Sequence, residues 1–161
     1  DIKKVYRANG VPLSLGLATT FLSAFVHLLL MSAILYIAAP LLFGAARPRD
    51  PLLYTLSLAI FIAASLGVAS VLGLAVKSQA KLTMFSQLVF LPSIMLSGIM
   101  FPAELLPRAF GAAGRLFPAA WGYRAMLDGG FGPGSLWPLG LLLAVSAILC
   151  ALLLKKLEKD A

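Results

Sequence analysis

Few residues in this chain have the type and spacing needed for chemistry. His27 is the only histidine and Cys150 the only cysteine, so no clustered metal site of these residues is expected. Neither a GxSxG nor an HExxH pattern occurs, so the usual signatures of nucleophilic and zinc-dependent hydrolysis are missing. The glycine-rich stretch DGGFGPG, residues 128–134, has no following lysine and fits a flexible turn better than a phosphate-binding loop. The sequence predicts no catalytic residue, no cofactor and no metal.

His27 is the one ionisable residue deep inside a long apolar stretch. Ionisable side chains are costly in lipid and are therefore candidates for function. A proton-driven exporter normally needs a buried carboxylate, and no acidic residue lies deep in any of the apolar stretches. We interpret His27 as a neutral histidine hydrogen-bonded to a neighbouring helix, with a proton relay as the alternative.

The composition excludes an ordinary soluble domain. Of 161 residues, 61% are hydrophobic and 12% are charged, and the mean hydropathy is +0.98. A soluble domain would be about a quarter charged. The net charge of +7 comes from short basic clusters between apolar stretches, which is typical of the flanks of membrane segments. The sequence therefore predicts an integral membrane protein that contacts the lipid bilayer and no nucleic acid.

Four stretches are long enough to cross a bilayer, and they indicate an all-α fold. A crossing takes about 20 apolar helical residues, and continuous apolarity favours helices over the alternating strands of a barrel. We predict a single polytopic membrane domain with a re-entrant helical hairpin on the outer side, residues 101–134, before the last helix. In the hairpin, one short helix begins at Pro107 and ends at Pro118, and a second covers Ala119 to Leu127. Both would dip into or lie along the outer leaflet, with an ordinary surface loop as the alternative. The first helix has one apolar face, formed by Leu106, Phe110, Ala113 and Phe117. The four predicted transmembrane helices are residues 13–43, 52–76, 82–100 and 136–154.

The distribution of lysines predicts the orientation. Four crossings place residues 1–12, the loop 77–81 and the C-terminus on one side, and all seven lysines of the chain lie there. By the positive-inside rule this side is cytoplasmic. Trp121 and Trp137 fall at the opposite interface. We therefore expect a plasma (inner) membrane protein with both termini in the cytoplasm and residues 1–12 as a cytoplasmic interfacial segment.

Two further patterns concern the helices themselves. Small residues recur on one face of the second segment, which predicts close helix packing or reflects only the usual composition of membrane helices. In the third segment, Pro92 is expected to break the helix in mid-membrane, and Gly98 with Pro102 to end it. The small residues of the second segment are Ala59, Ala63, Gly67 and Ser70.

The stretch QLVFLPSIMLSGIMFPAELLP, residues 87–107, and the LFPAAWGYRAMLDGG stretch that follows resemble the type-2 permeases of ATP-binding cassette (ABC) transporters. Members typically combine a leucine-proline, a serine-glycine, a phenylalanine-proline, another leucine-proline and a later proline. In this chain those residues are Leu91-Pro92, Ser97-Gly98, Phe101-Pro102, Leu106-Pro107 and Pro118.

The resemblance extends over nearly the whole chain. Residues 3–14, KKVYRANGVPLS, resemble the cytoplasmic stretch that touches the ATPase in this family, although many members have Thr-Pro where this chain has Asn9-Gly10-Val11-Pro12. Family permeases have six membrane helices and this chain matches the last four, so we expect it to be the C-terminal part of a longer protein. The implied ATPase-coupling residues are Lys4, Arg7, Asn9, Gly10 and Pro12.

The resemblance implies an export channel formed by two permease copies, as a homodimer or heterodimer, and driven by two cytoplasmic ATP-binding subunits. ATP hydrolysis would then take place on a partner, and the permease would not be an enzyme. The alternative is a non-transporting membrane scaffold or assembly protein. The implied re-entrant gate residues are Pro92, Ser97, Gly98, Phe101, Pro102, Pro107 and Pro118.

Overall fold

The computed structural model describes residues 13–48, 50–76, 78–101, 105, 107–127 and 133–159. Over these residues the regular structure is helical and includes no strand, which confirms the predicted all-α fold. The predicted interfacial segment 1–12 lies outside the described residues. The helices are α1 (Leu13–Phe43), α2 (Pro51–Ala75), α3 (Gln79–Leu96), α4 (Arg108–Gly114), α5 (Pro118–Leu127) and α6 (Pro133–Lys159).

Three of the described helices are long and apolar enough to cross a membrane, where the sequence predicted four. They contain the stretches Ser14–Phe43, Pro51–Ala75 and Leu136–Leu157, which match the first, second and fourth predicted segments. The third predicted segment, residues 82–100, forms α3, which begins at the polar Gln79 and ends at Leu96. Its 18 residues extend about 27 Å, slightly less than a bilayer core of about 30 Å.

Local backbone chemistry explains where α1 ends and α2 begins. Gly44 has a φ of 63° and its N–H donates to the Pro40 carbonyl at 3.1 Å, a glycine cap that uses the left-handed conformation. Pro51 begins α2, where its missing N–H costs nothing. Asp50 precedes it as the N-cap, and its carbonyl accepts the Tyr54 N–H at 3.0 Å.

α2 is the central helix of the described fold. It contacts α1, α3, α5 and α6, and its contact with α6 is the most extensive. Gly67 makes this contact close, because a β-carbon there would overlap the Ser146 hydroxyl of α6. Of the four small residues singled out in the sequence, Gly67 is buried and the others are half-buried. The packing face is instead centred on Ser57, Ile62, Ala64, Gly67 and Leu74.

α1 lies at the edge of the bundle and packs chiefly against α2. At the end near Gly44 the two helices are joined by Tyr36 and Tyr54, whose ring centroids are 5.5 Å apart. Many of the large apolar side chains of α1 are exposed, including Leu22, Leu35 and Leu41. Such exposure is the normal state of a helix surrounded by lipid, since lipid is as apolar as leucine.

Candidate functional site

The candidate site is the turn after α3 together with α4 and α5, and its first residue of interest is Pro92. The sequence predicted that Pro92 would break the helix, and this prediction is wrong, because α3 continues through Pro92 to Leu96. A proline removes one backbone hydrogen bond and crowds the preceding turn. Here it lies close to the C-terminal end of α3, so few later turns depend on the lost bond.

The helix ends at Ser97-Gly98. The Ser97 hydroxyl donates to the Ile94 carbonyl at 2.8 Å and accepts the Ile99 N–H at 3.2 Å. Gly98 follows with a φ of 90°, a left-handed conformation that glycine adopts without penalty. Both residues are buried, whereas Phe101 is 47% exposed. Gly98 therefore ends the helix as predicted, and Pro102 lies outside the described residues.

α4 folds back onto the end of α3. Pro107 is its N-cap, and the Pro107 carbonyl accepts the N–H groups of Phe110 at 2.9 Å and Gly111 at 3.1 Å. The sequence placed Pro107 one position later, as the first helical residue. At the other end, a β-carbon on the buried Gly114 would overlap the Leu96 carbonyl. The backbones of α3 and α4 therefore touch directly at Gly114.

The apolar face predicted for this helix does not form the contact. Phe110 is 55% exposed, and Ala113 and Phe117 are half-buried, while Gly114 is buried. α4 also ends before Pro118, through a turn in which the Arg115 N–H donates to the Ala112 carbonyl at 3.2 Å. Pro118 begins α5. The two short helices exist as predicted. The contact of α4 with α3 is made by Gly114 and not by the predicted apolar face.

α5 is fixed to its surroundings at two points. The Trp121 indole N–H donates to the Arg115 carbonyl at 2.7 Å, which joins α5 to the preceding turn. The Arg124 guanidinium lies 5.7 Å from the centroid of the Trp121 ring, a cation–π distance. On the other side, a β-carbon on Gly122 would overlap the Phe61 ring of α2.

These contacts place α5 beside the middle of α2. Phe61 comes about 15 Å along α2 from Pro51, at about 1.5 Å per residue. α5 also contacts α3 and α6, and its buried residues are all small: Ala119, Ala120, Gly122 and Ala125. The i, i+3 spacing of Ala119, Gly122 and Ala125 was visible in the sequence and could have predicted this packing face.

The structure brings part of the predicted gate together. Pro92, Ser97, Gly98 and Phe101 share the end of α3, and Pro107 and Pro118 begin the two short helices. The predicted ATPase-coupling residues lie outside the described residues: Lys4, Arg7, Asn9, Gly10 and Pro12.

His27 has no hydrogen-bond partner on a neighbouring helix within the part of the chain that the structure describes, whereas the sequence suggested one. Its side chain is exposed on α1, and none of the side-chain hydrogen bonds within the described ranges involves it. In the same ranges, no three His, Cys, Asp or Glu side chains gather closely enough to hold a metal ion.

Long apolar helices around α2, with a short helical pair folded back after α3, define a polytopic helical membrane protein. A family model described as ABC-2 type transporter matches residues 5–131, a range that includes α1 to α5. The chain therefore belongs to the ABC-2 type transporter family, as its Ser97-Gly98 and proline motifs suggested. It is an integral membrane transport component, and membership implies partner subunits that bind ATP. Searches of curated proteins and of solved structures found no match.

Proposed function

We propose that this chain is the permease component of an ATP-driven exporter and forms the translocation pathway with a second permease copy. Separate cytoplasmic ATP-binding subunits supply the energy. The family match over residues 5–131 carries the proposal. It is supported by the absence of Asp, Glu, Lys and Arg from residues 14–43, 51–75 and 136–154, since a proton-driven exporter normally needs a buried carboxylate in the membrane.

In this proposal the turn Ser97–Phe101, α4 and α5 form a gate on the outer side. The contact of Gly122 with Phe61 supports a position within the membrane, because Phe61 lies well inside an apolar helix. Gly114 on Leu96 and Trp121 on Arg115 link the two short helices to α3 and to each other. A shift of α3 relative to α2 would therefore carry α4 with α3 and change the packing of α5, which contacts both α2 and α3. The gate residues are Pro92, Ser97, Gly98, Phe101, Pro102, Pro107 and Pro118.

The cytoplasmic side of the proposal rests on charge. Lys81, Lys155 and Lys156 belong to the end of the bundle opposite Gly44, which by the positive-inside rule faces the cytoplasm of the plasma (inner) membrane. Both termini then lie inside and α3 completes a fourth crossing. The ATPase-coupling residues would be Lys4, Arg7, Asn9, Gly10 and Pro12.

The test is whether ATP changes access to the proposed gate. A Phe101→Cys variant is made in a Cys150→Ser background, where the introduced cysteine is the only thiol of this chain, and is co-expressed with a candidate ATP-binding subunit. Reconstituted protein is labelled with an impermeant maleimide in the presence and absence of ATP plus vanadate. We expect a several-fold change in the labelling rate at position 101.

Phe43→Cys is the matched control, since Phe43 is 83% exposed at the end of α1, a helix that packs chiefly against α2. Its labelling rate should not respond to ATP. The scaffold alternative predicts that no ATP-binding subunit co-purifies and that both rates stay constant. That result would overturn the exporter proposal.

A further inference from the structure

An apolar groove of about 510 Å³ lies between α1, α2 and α6. It is at the end of the bundle opposite the Tyr36–Tyr54 pair, where Ser14 begins α1 and Leu154 precedes the basic end of α6. The residues that shape it are Ala18, Phe21, Gly67, Leu143, Ala147 and Ala151.

Side-chain size explains why the groove exists. The small residues Gly67 of α2 and Ala147 and Ala151 of α6 leave space between the larger side chains of Phe21 and Leu143. The Ser146 hydroxyl, also in the lining, donates to the Leu143 carbonyl at 2.9 Å. That bond satisfies its proton within α6, so the hydroxyl adds little polarity to the wall. A lining of this kind suits hydrocarbon.

Basic residues follow the end of the groove along the sequence, interspersed with Glu158 and Asp160. Lys155 and Lys156 follow Leu154 directly, and both are exposed. Lys155 is four residues after Ala151, so the two share one strip of α6, and helical side chains lean toward the N-terminus of their helix. Lys155 therefore lies beside the end of the groove, although it is not one of the lining residues, whereas Lys156 lies roughly 100° further around the helix. Basic residues beside an intramembrane groove favour anionic headgroups.

We propose that this groove is a binding site for an anionic phospholipid, which lays one acyl chain along α6 and places its phosphate at Lys155. The lipid would fill the space between α1 and α6 and so hold α1 to the bundle. The proposal depends only on α1, α2 and α6 lying in a membrane. It is independent of the direction of transport and of the partner ATPase.

Native mass spectrometry of the purified chain tests the proposal. Phosphatidylglycerol and phosphatidylcholine with identical acyl chains are added separately, and bound lipid is counted. We expect phosphatidylglycerol to bind about fivefold more tightly, the ratio that corresponds to about 1 kcal/mol for one lysine near an anionic headgroup. Lys155→Ala should abolish the preference and Lys156→Ala should keep it. Equal binding of the two lipids to the unmodified chain would overturn the proposal.

Variants that fill the groove test the contribution of the acyl chain to binding separately from that of the headgroup. Ala151→Phe should remove both lipids, while Leu152→Phe, at a position 58% exposed, should remove neither. If soluble glycerol phosphate displaces the bound lipid as effectively as added phosphatidylglycerol does, the acyl chain does not occupy the groove and the proposal fails. If Ala151→Phe instead dissociates a dimer, the groove is an interface between copies and the proposal is wrong.

The single cysteine gives a measurement that needs no variant. Cys150 lies in the groove wall, so a bound acyl chain should slow its reaction with N-ethylmaleimide. We expect phosphatidylglycerol to slow the reaction more than phosphatidylcholine does. An unchanged rate with saturating phosphatidylglycerol would contradict the proposal even if Ala151→Phe failed to fold.

Discussion

The backbone angle φ of Gly98 turns the chain after the end of α3. If Gly98 were helical, its replacement by alanine would stabilise the protein. Its φ of 90° makes the same replacement destabilising, because a β-carbon clashes in left-handed conformations. We expect Gly98→Ala to lower the free energy of unfolding by about 1–2 kcal/mol. Denaturation of the detergent-solubilised protein measures it.

Gly111→Ala is the control for that prediction. Gly111 lies inside α4 with nothing within 4 Å of an added β-carbon, so alanine should stabilise by about 0.5–1 kcal/mol. Stabilisation by both substitutions would show that Gly98 can adopt a helical conformation at little cost.

Ser57 and Ser97 are both buried serines with opposite roles. The Ser57 hydroxyl is fully buried with no hydrogen-bond partner among the described residues, whereas the Ser97 hydroxyl makes two bonds. We expect Ser57→Ala to be neutral or stabilising and Ser97→Ala to cost about 1–2 kcal/mol. Thermal unfolding of the two variants measured side by side decides this. Equal losses would mean that Ser57 has a partner after all.

At the scale of elements, the contact between α5 and α2 depends on one missing side chain. A β-carbon on Gly122 would overlap the Phe61 ring, so we expect Gly122→Ala to cost about 1–3 kcal/mol, as overpacking does. Gly73→Ala, at an α2 position with nothing within 4 Å of an added β-carbon, should stabilise by about 0.5–1 kcal/mol, as at Gly111. Chemical denaturation provides both values.

A double-mutant cycle makes the cause of the loss testable. Phe61→Leu removes the ring that the new methyl group meets, so the combined variant should be more stable than the sum of the single losses predicts. Strict additivity would show that Gly122→Ala acts through some other neighbour.

The elements differ in how well the sequence predicted them. Long uncharged runs such as residues 14–43 predicted the long helices, because apolar length alone is enough to form them in a membrane. Gly98 predicted the end of α3, since a left-handed glycine is a local requirement. The prediction that Pro92 would break the helix failed because a proline close to the C-terminal end of a helix need not end it, and α3 continues to Leu96. The contacts of Gly114 and Gly122 join residues far apart in sequence, and no local pattern specifies such a pair.

At the scale of the whole molecule, the lysine distribution predicts which end faces the cytoplasm. In a Cys150→Ser background, Gln79→Cys at the start of α3 should be protected from an impermeant thiol reagent in intact cells. Ala45→Cys, between α1 and α2, should react. The seven lysines, which all lie on the side of Gln79, give this result.

The reverse labelling pattern would invert the orientation. Labelling of both cysteines would mean that α2 does not cross. Permeabilised cells, in which both sites should react, provide the control.

The central place of α2 has a consequence for biosynthesis. The main partner of its buried face, α6, is made after the other described helices. During translation Gly67 and the Ser57 hydroxyl, which has no hydrogen-bond partner among the described residues, therefore lie in lipid without α6. At about 5–20 residues per second, the stretch from Ala75 to Pro133 takes roughly 3–12 s to synthesise. Until then the nascent chain has no completed bundle. Ribosome stalling or truncation before α6 therefore leaves a half-assembled intermediate that quality-control proteases can recognise.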